Sequence, residues 1–287
     1  MLSGITSGSI YAIVAIGFNI IYNTTGIINF AQGEFLMLGG MTAISLSRVM
    51  PLPLAIVCAV VITSIVGVVI DFIFIRRLKK PTVLNMIIVT IGLSILIREA
   101  ALHIWDEKVR SLAHFTGNEI SSINILGAYI SPQVFWVLGT CAVIVLSLGF
   151  FFKFTITGRS MRACSANRTA ARLCGINAKN MVTLSFMLSA AIGAVAGCVI
   201  SPITQTQYDS GTSLAIKGFA VAILGGLGSN TGAVAGGFVI GMLEAFSISV
   251  LPMVYKDAIA IAILLIILVV KPSGLLGSSE VSALKEF

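Results

Sequence analysis

The chain has 287 residues, 57% of them hydrophobic and 10% charged, with a mean hydropathy of +1.05. A soluble chain of this length could not solvate so much apolar surface, which excludes a water-soluble globular domain and leaves an integral membrane protein. The formal charge of +7 sits mainly in two loops, so it reads as a topology signal and not as a nucleic-acid footprint.

A helix crossing the hydrocarbon core needs about 20 mostly apolar residues, because each rises about 1.5 Å through a layer about 30 Å thick. Such runs occur at 7–22, 30–46, 54–75, 83–104, 132–152, 181–201, 234–250 and 258–270, with a shorter one at 216–227. Backbone groups in lipid must be paired internally, and these runs are longer than barrel strands and do not alternate, so they are helices. The expectation is an all-α integral membrane protein, a polytopic bundle of eight or nine transmembrane helices with discontinuous segments, forming one domain over 1–287. The first run has no basic flank before it and no small-residue cleavage pattern after it, so it reads as an uncleaved span.

Between the first two runs, YNTTGIINFAQGE sets Asn23, Asn29, Gln32 and Glu34 between apolar halves. A second break, GGLGSNTGAVAGG at 225–237, is also followed by a small-residue helix with one isolated acid, Glu244. Paired glycine-interrupted segments in the two halves of a chain are what the discontinuous helices of transporters produce, their freed backbone groups lining a polar route. Asn23, Asn29, Gln32, Glu34 and Glu244 are therefore the candidate pathway residues. Plainer readings stand beside this one. Both breaks also read as ordinary loops, the second with close helix packing through Gly228, Gly232 and Gly236, and Glu244 could snorkel or pair with Lys217.

Arg76, Arg77, Lys79 and Lys80 form one basic cluster, and residues 153–180 carry six basic side chains and no acid. Short basic loops mark the cytoplasmic side, and two runs separate the clusters, so the parity agrees. Counting back through three runs puts the N-terminus outside. Segment 105–131, with Asp106, Glu107 and Glu119 against Lys108 and Arg110, also falls outside. The side of the C-terminus depends on whether 216–227 crosses or re-enters. Arg98 and Glu99 adjoin near the outer end of the fourth run, point to different helix faces, and read as interfacial anchors beside Trp105.

Other chemistries are missing from the sequence. Cysteines 58, 141, 164, 174 and 198 form no CxxC pair, and their odd number and placement read as packing residues. His103 and His114 are too few and too isolated for a metal site or a histidine-based triad. There is no phosphate loop and no strand-turn-helix context for a dinucleotide fold, so no cofactor is expected and ATP cannot be hydrolysed by this chain alone. Scattered carboxylates argue against a membrane enzyme. A passive channel, the remaining alternative, has no use for a long basic loop.

Four segments carry a resemblance: the opening GITSGSIYAIVAIGFNIIYNTTGIINFAQGEFLMLGG, the loop GRSMRACSANRTAARLCGIN, the stretch FAVAILGGLGSNTGAVAGGFVIGMLEA and the ending YKDAIAIAILLIILVVKPSGLLG. Together they resemble the permease subunits of high-affinity branched-chain amino acid ABC importers, most closely the H-type subunit. The resemblance implies a bacterial inner-membrane protein with the ABC importer permease fold. It also implies four kinds of partner: lipid, a second related permease in a heterodimer, two cytoplasmic ATPase subunits and a periplasmic substrate-binding protein. Relatives in this group carry leucine-type amino acids, other amino acids, urea or short amides. It further implies that 158–177 is a coupling segment lying in a groove of an ATPase, with Gly158, Arg159, Arg162, Ala163, Arg168, Leu173, Gly175, Ile176 and Asn177 as its contact residues. The residues agree: Ala163, Ala166, Ala170 and Leu173 recur at helical spacing, flanked by arginines suited to acidic groups. An amphipathic segment lying on anionic lipid is the alternative.

Overall fold

A computed structural model describes residues 2–78, 82–117, 121–125 and 128–250, with 262, 265, 266 and 274. Lys79, Lys80, Glu119, Lys271 and most of the expected run at 258–270 lie outside the described residues. The helices are α1 (Leu2–Thr25), α2 (Gln32–Leu46), α3 (Leu52–Ile70), α4 (Val83–Trp105), α5 (Gln133–Phe154), α6 (Ile156–Ala166), α7 (Arg168–Leu173), α8 (Ala178–Thr204), α9 (Ser210–Gly225) and α10 (Asn230–Val250). A short antiparallel hairpin, β1 (Ile123–Ile125) and β2 (Ala128–Ile130), sits between α4 and α5. The sequence reading placed no strand there.

Among the described residues, α1, α3, α4, α5, α8 and α10 are long and apolar enough to cross a membrane. Two expected crossings are helical but short. α2 and α9 have 15 and 16 residues, which reach about 22–24 Å at about 1.5 Å per residue, less than the core of about 30 Å. Hydropathy registers apolar content but not the depth at which the backbone turns, so 30–46 looked like a crossing from sequence, while 216–227 read as either a crossing or a re-entrant segment.

The turns have local causes. α1 stops at Gly26, whose φ of +71° suits glycine, and Thr25 Oγ1 bonds both the Ile21 carbonyl and the Ile27 amide. Asn29 Oδ1 then accepts from the Ala31 amide at 3.1 Å, turning the chain into α2. α3 opens on Pro51 and Pro53, where missing amides leave no helical bond unmade.

Lipid supplies no hydrophobic drive between helices, so close van der Waals approach must hold the bundle together, and small residues permit it. α1 is buried along nearly its whole length, and α10 lies on it through glycines. A Cβ on Gly241 would fall 2.3 Å from the Gly4 carbonyl oxygen, and one on Gly8 would fall 2.8 Å from that of Gly237. α2 meets α8 in the same way, through Gly197 against the Leu36 carbonyl. By contrast α3, α4 and α5 show Val57, Ile65, Leu96, Val143 and Leu146 outward, as lipid-facing helices do.

The two ends of the bundle differ. At one, α3 continues through a π-helical turn, Asp71–Ile75, and Arg76 reaches Asp71, Thr183 and Asn180, joining the first basic cluster to the start of α8 beside α6 and α7. At the other, Trp105 Nε1 donates to Ser45 Oγ at 2.6 Å, and Arg110 pairs with Thr206 through backbone bonds near the hairpin. The basic segments expected on one side therefore share one end, and α1 begins at the opposite one.

Candidate functional site

Both sequence breaks come together in the bundle. Asn19 Oδ1 accepts from the Gly228 amide at 3.0 Å while its Nδ2 donates to the Ser229 carbonyl at 3.0 Å, and Asn23 Nδ2 donates to the Gly228 carbonyl at 2.8 Å. Asn23, expected on the pathway, thus satisfies backbone that the glycine turn frees, with Gly226 and Gly228 at positive φ. Gly225 and Gly232 abut, a Cβ on Gly232 falling 2.0 Å from the Gly225 carbonyl oxygen, so glycine here also serves packing.

At the start of α2 lies a buried polar group. Gln32 Nε2 donates to the Ser189 carbonyl at 3.3 Å, Ser189 Oγ donates to the Gly17 carbonyl at 2.8 Å, and Ser189 Oγ also meets Gln32 Oε1. Asn29 and Gln32 are each 1% exposed. They meet no open space in this conformation, where Asn29 borders a cavity of about 10 Å³, the size of one water.

Glu34 is also 1% exposed. Its Oε1 accepts from Ser94 Oγ of α4 at 2.8 Å and from Thr212 Oγ1 of α9 at 3.2 Å, while Oε2 has no hydrogen-bond partner. The two half-length helices touch at this level. A Cβ on Gly211 would lie 2.8 Å from Glu34 Oε2 and 2.7 Å from the Gly33 carbonyl oxygen, so glycine makes room for the acid.

In front of Ser94 and Thr212 opens a cavity of about 200 Å³, walled by Phe30, Ile91, Ile95, Ile216 and Phe219 and bordered by the side chain of Arg98. The sequence reading took Arg98 for an interfacial anchor; the structure turns it into this cavity, on the face of α4 that carries Ile91 and Ser94. Ser94 and Thr212 carried no signal in the sequence, because a hydroxyl in an apolar helix usually bonds its own backbone. Glu244 does not face the cavity. Tyr11 Oη donates to its Oε2 at 2.6 Å and Lys217 Nζ to its Oε1 at 3.0 Å, the pairing with Lys217 that the sequence left open.

The basic segment divides into two helices. Thr155 caps α6 through the Gly158 amide, Asn167 caps α7 through the Thr169 and Ala170 amides, and Asn177 caps α8 through the Asn180 amide. Gly175, at φ +82°, makes the turn into Ile176 and Asn177. Gly158 is where α6 crosses α5, since a Cβ there would fall 2.3 Å from the Phe151 carbonyl oxygen. The expected alanine stripe is divided between α6 and α7, and its four residues are exposed. Met161, Cys164 and Ala171 turn inward, while Arg159, Arg162, Ala163, Ala166, Ala170 and Leu173 are exposed, and Arg168 is half-buried. Leu173 is 85% exposed at the end of the bundle that carries the charge.

Among the described residues no group of histidine, cysteine and acidic side chains could hold a metal. The chain is 33% identical to the high-affinity branched-chain amino acid transport system permease protein BraD of Pseudomonas aeruginosa, over 98% of this chain and 96% of that protein. It is 32% identical to the corresponding permease protein LivH of Salmonella typhimurium, again over 98% and 96%. A solved structure, PsaBC from Streptococcus pneumoniae in complex with Fab, shares the fold at a TM-score of 0.51 and 12% identity, covering 94% of this chain and 91% of that one. The family described as branched-chain amino acid transport system / permease component matches residues 1–268, and with the near full-length relatives this places the chain in that family of multi-pass membrane permeases, as an H-type subunit.

Proposed function

We propose that this chain is the membrane-spanning subunit of an ATP-driven importer of the ATP-binding-cassette class in a bacterial inner membrane, passing leucine-type amino acids inward. One domain spans 1–287. A periplasmic binding protein delivers the substrate at the hairpin end, and a second, related permease completes the route. Of two cytoplasmic ATPases, one docks at α6 and α7. The chain has no phosphate loop, so the driving energy comes from those partners.

The observation that carries this reading is the exposed basic pair α6 and α7, each capped at its start and leading directly into the capped α8, in a chain of this family. A docked ATPase that closes on nucleotide pulls on α6 and α7. α8 transmits the motion to Ser189 and so to Gln32 at the start of α2. Half-length helices with glycine contacts at Gly33 and Gly211 can shift there without breaking a continuous helix. Asn29, Gln32 and Glu34, closed over in this conformation, then border the open route.

Purification of the tagged chain from its native membrane tests the assembly. An ATPase subunit and a second permease are expected to come with it, and Arg162→Asp with Leu173→Asp is expected to release the ATPase. Recovery of the chain alone under mild detergent, or an ATPase retained undiminished by the double variant, would contradict the docking assignment.

A further inference from the structure

The cavity in front of Glu34 has the chemistry of one ligand class. Ser94 Oγ and Thr212 Oγ1 both spend their only proton on Glu34 Oε1. A hydroxyl has one donor and two acceptor positions, so each is left with lone pairs and nothing to donate. What such a pair holds is a hydrogen-bond donor. With the carboxylate of Glu34 directly behind them, a cationic donor is favoured over a neutral one. The unpartnered Glu34 Oε2, in a side chain 1% exposed, adds negative charge that no described residue balances by hydrogen bonding.

On the same cavity wall the Arg98 guanidinium makes no hydrogen bond or ion pair among the described residues. Its fork geometry matches a carboxylate. A charged side chain within a span is retained where it faces a polar route or an opposite charge, and Arg98 has the second, since Glu34 lies within electrostatic reach. Between these poles the walls are aliphatic and aromatic: Phe30, Ile91, Ile95 and Phe219.

We propose that this cavity is a transit site for a zwitterionic α-amino acid with an aliphatic side chain. Arg98 holds the carboxylate, the hydroxyls of Ser94 and Thr212 accept from the ammonium, and the side chain lies against Phe30, Ile95 and Phe219. The assignment rests on the importer function proposed above and narrows it. Urea and short amides bring neither a carboxylate for Arg98 nor a cation for the Glu34 side.

Photoleucine, a leucine carrying a diazirine, provides the probe. The complete importer with its binding protein is reconstituted in vesicles, supplied with ATP and photoleucine, irradiated, and the peptides of this chain are mapped by mass spectrometry. Adducts are expected on Phe30, on α4 between 91 and 98 or on α9 between 212 and 219. Arg98→Met is expected to lower both labelling and leucine uptake about ten- to a hundredfold, the effect of losing a hydrogen bond to a charged group. Arg98→Lys should recover part of the loss.

Leucine uptake by the unmodified importer with adducts only outside Phe30 and these two segments overturns the site, as does an Arg98→Met importer that transports at the unmodified rate. The labelling pattern of the unmodified protein requires no variant to assemble. An unmodified importer that takes up no leucine overturns the proposed substrate, a separate failure.

Discussion

Glu34 shows how one side chain joins the two halves of the chain. It stands at the first turn of α2, where an acid is favoured by the helix dipole, and it ties α4 to α9 through two hydroxyls. An importer driven by ATP has no need of a proton gradient, so we propose that the carboxylate holds Ser94 and Thr212 in place and carries no proton across. Glu34→Gln keeps the size and an acceptor oxygen, and uptake by the reconstituted importer is expected to survive in part with little change in its pH dependence. Glu34→Leu leaves the Ser94 and Thr212 hydroxyls unpaired at about 1–3 kcal/mol each and is expected to damage uptake or assembly far more. A Gln variant as inactive as the Leu variant, with normal assembly, would show that the charge itself is required. An isolated acid between apolar runs was legible in the sequence. Its partners were not, because Ser94 and Thr212 lie 60 and 178 positions away and nothing local marks them.

At the scale of elements, helix existence was legible because apolar runs must pair their own backbone in lipid, whereas helix length at α2 and α9 was not. The basic segment of α6 and α7 shows both sides of this. Its charge and exposure were readable, but its division at Asn167 depends on a cap that also fits a continuous helix pattern. Asn167→Ala removes an acceptor of two amides and is expected to destabilise α7 by about 1 kcal/mol, seen as faster amide hydrogen exchange over 168–173. Thiol chemistry separates the two faces of this segment. Cys174 is exposed, whereas burial pushes the Cys164 thiol above its ordinary range, against the opposing influence of Arg168 and Arg172. A water-soluble maleimide near neutral pH is expected to label Cys174 well before Cys164; equal rates would contradict the inward placement of α6. The α1–α10 contact gives a third check. Gly241→Val puts bulk where a Cβ alone falls 2.3 Å from backbone, and is expected to lower the thermal midpoint in detergent, whereas Gly92→Ala meets nothing within 4 Å and is expected to be tolerated.

Over the whole molecule, charge and hydropathy predict an orientation, and packing brings the described basic residues to one end of the bundle. α1, α2, α8, α9 and α10 supply the buried interior with its two glycine-rich turns, while α3, α4 and α5 mostly face lipid. The polar cluster at Gln32 and Glu34 lies about midway between the basic end and the hairpin end, since Ser189 is the twelfth residue of α8 and Ser94 the twelfth of α4. A route closed at that depth and pulled from α6 and α7, as proposed above, is what an importer driven from one side requires. ATP-driven uptake of radiolabelled leucine into vesicles holding this chain with its partner permease, ATPases and binding protein tests this account most directly. Accumulation that requires both ATP and the binding protein, and that is lost when Arg162 and Leu173 are changed to aspartate, is the predicted result. Leucine flux that runs equally without ATP would contradict it and mark the chain as a passive pore.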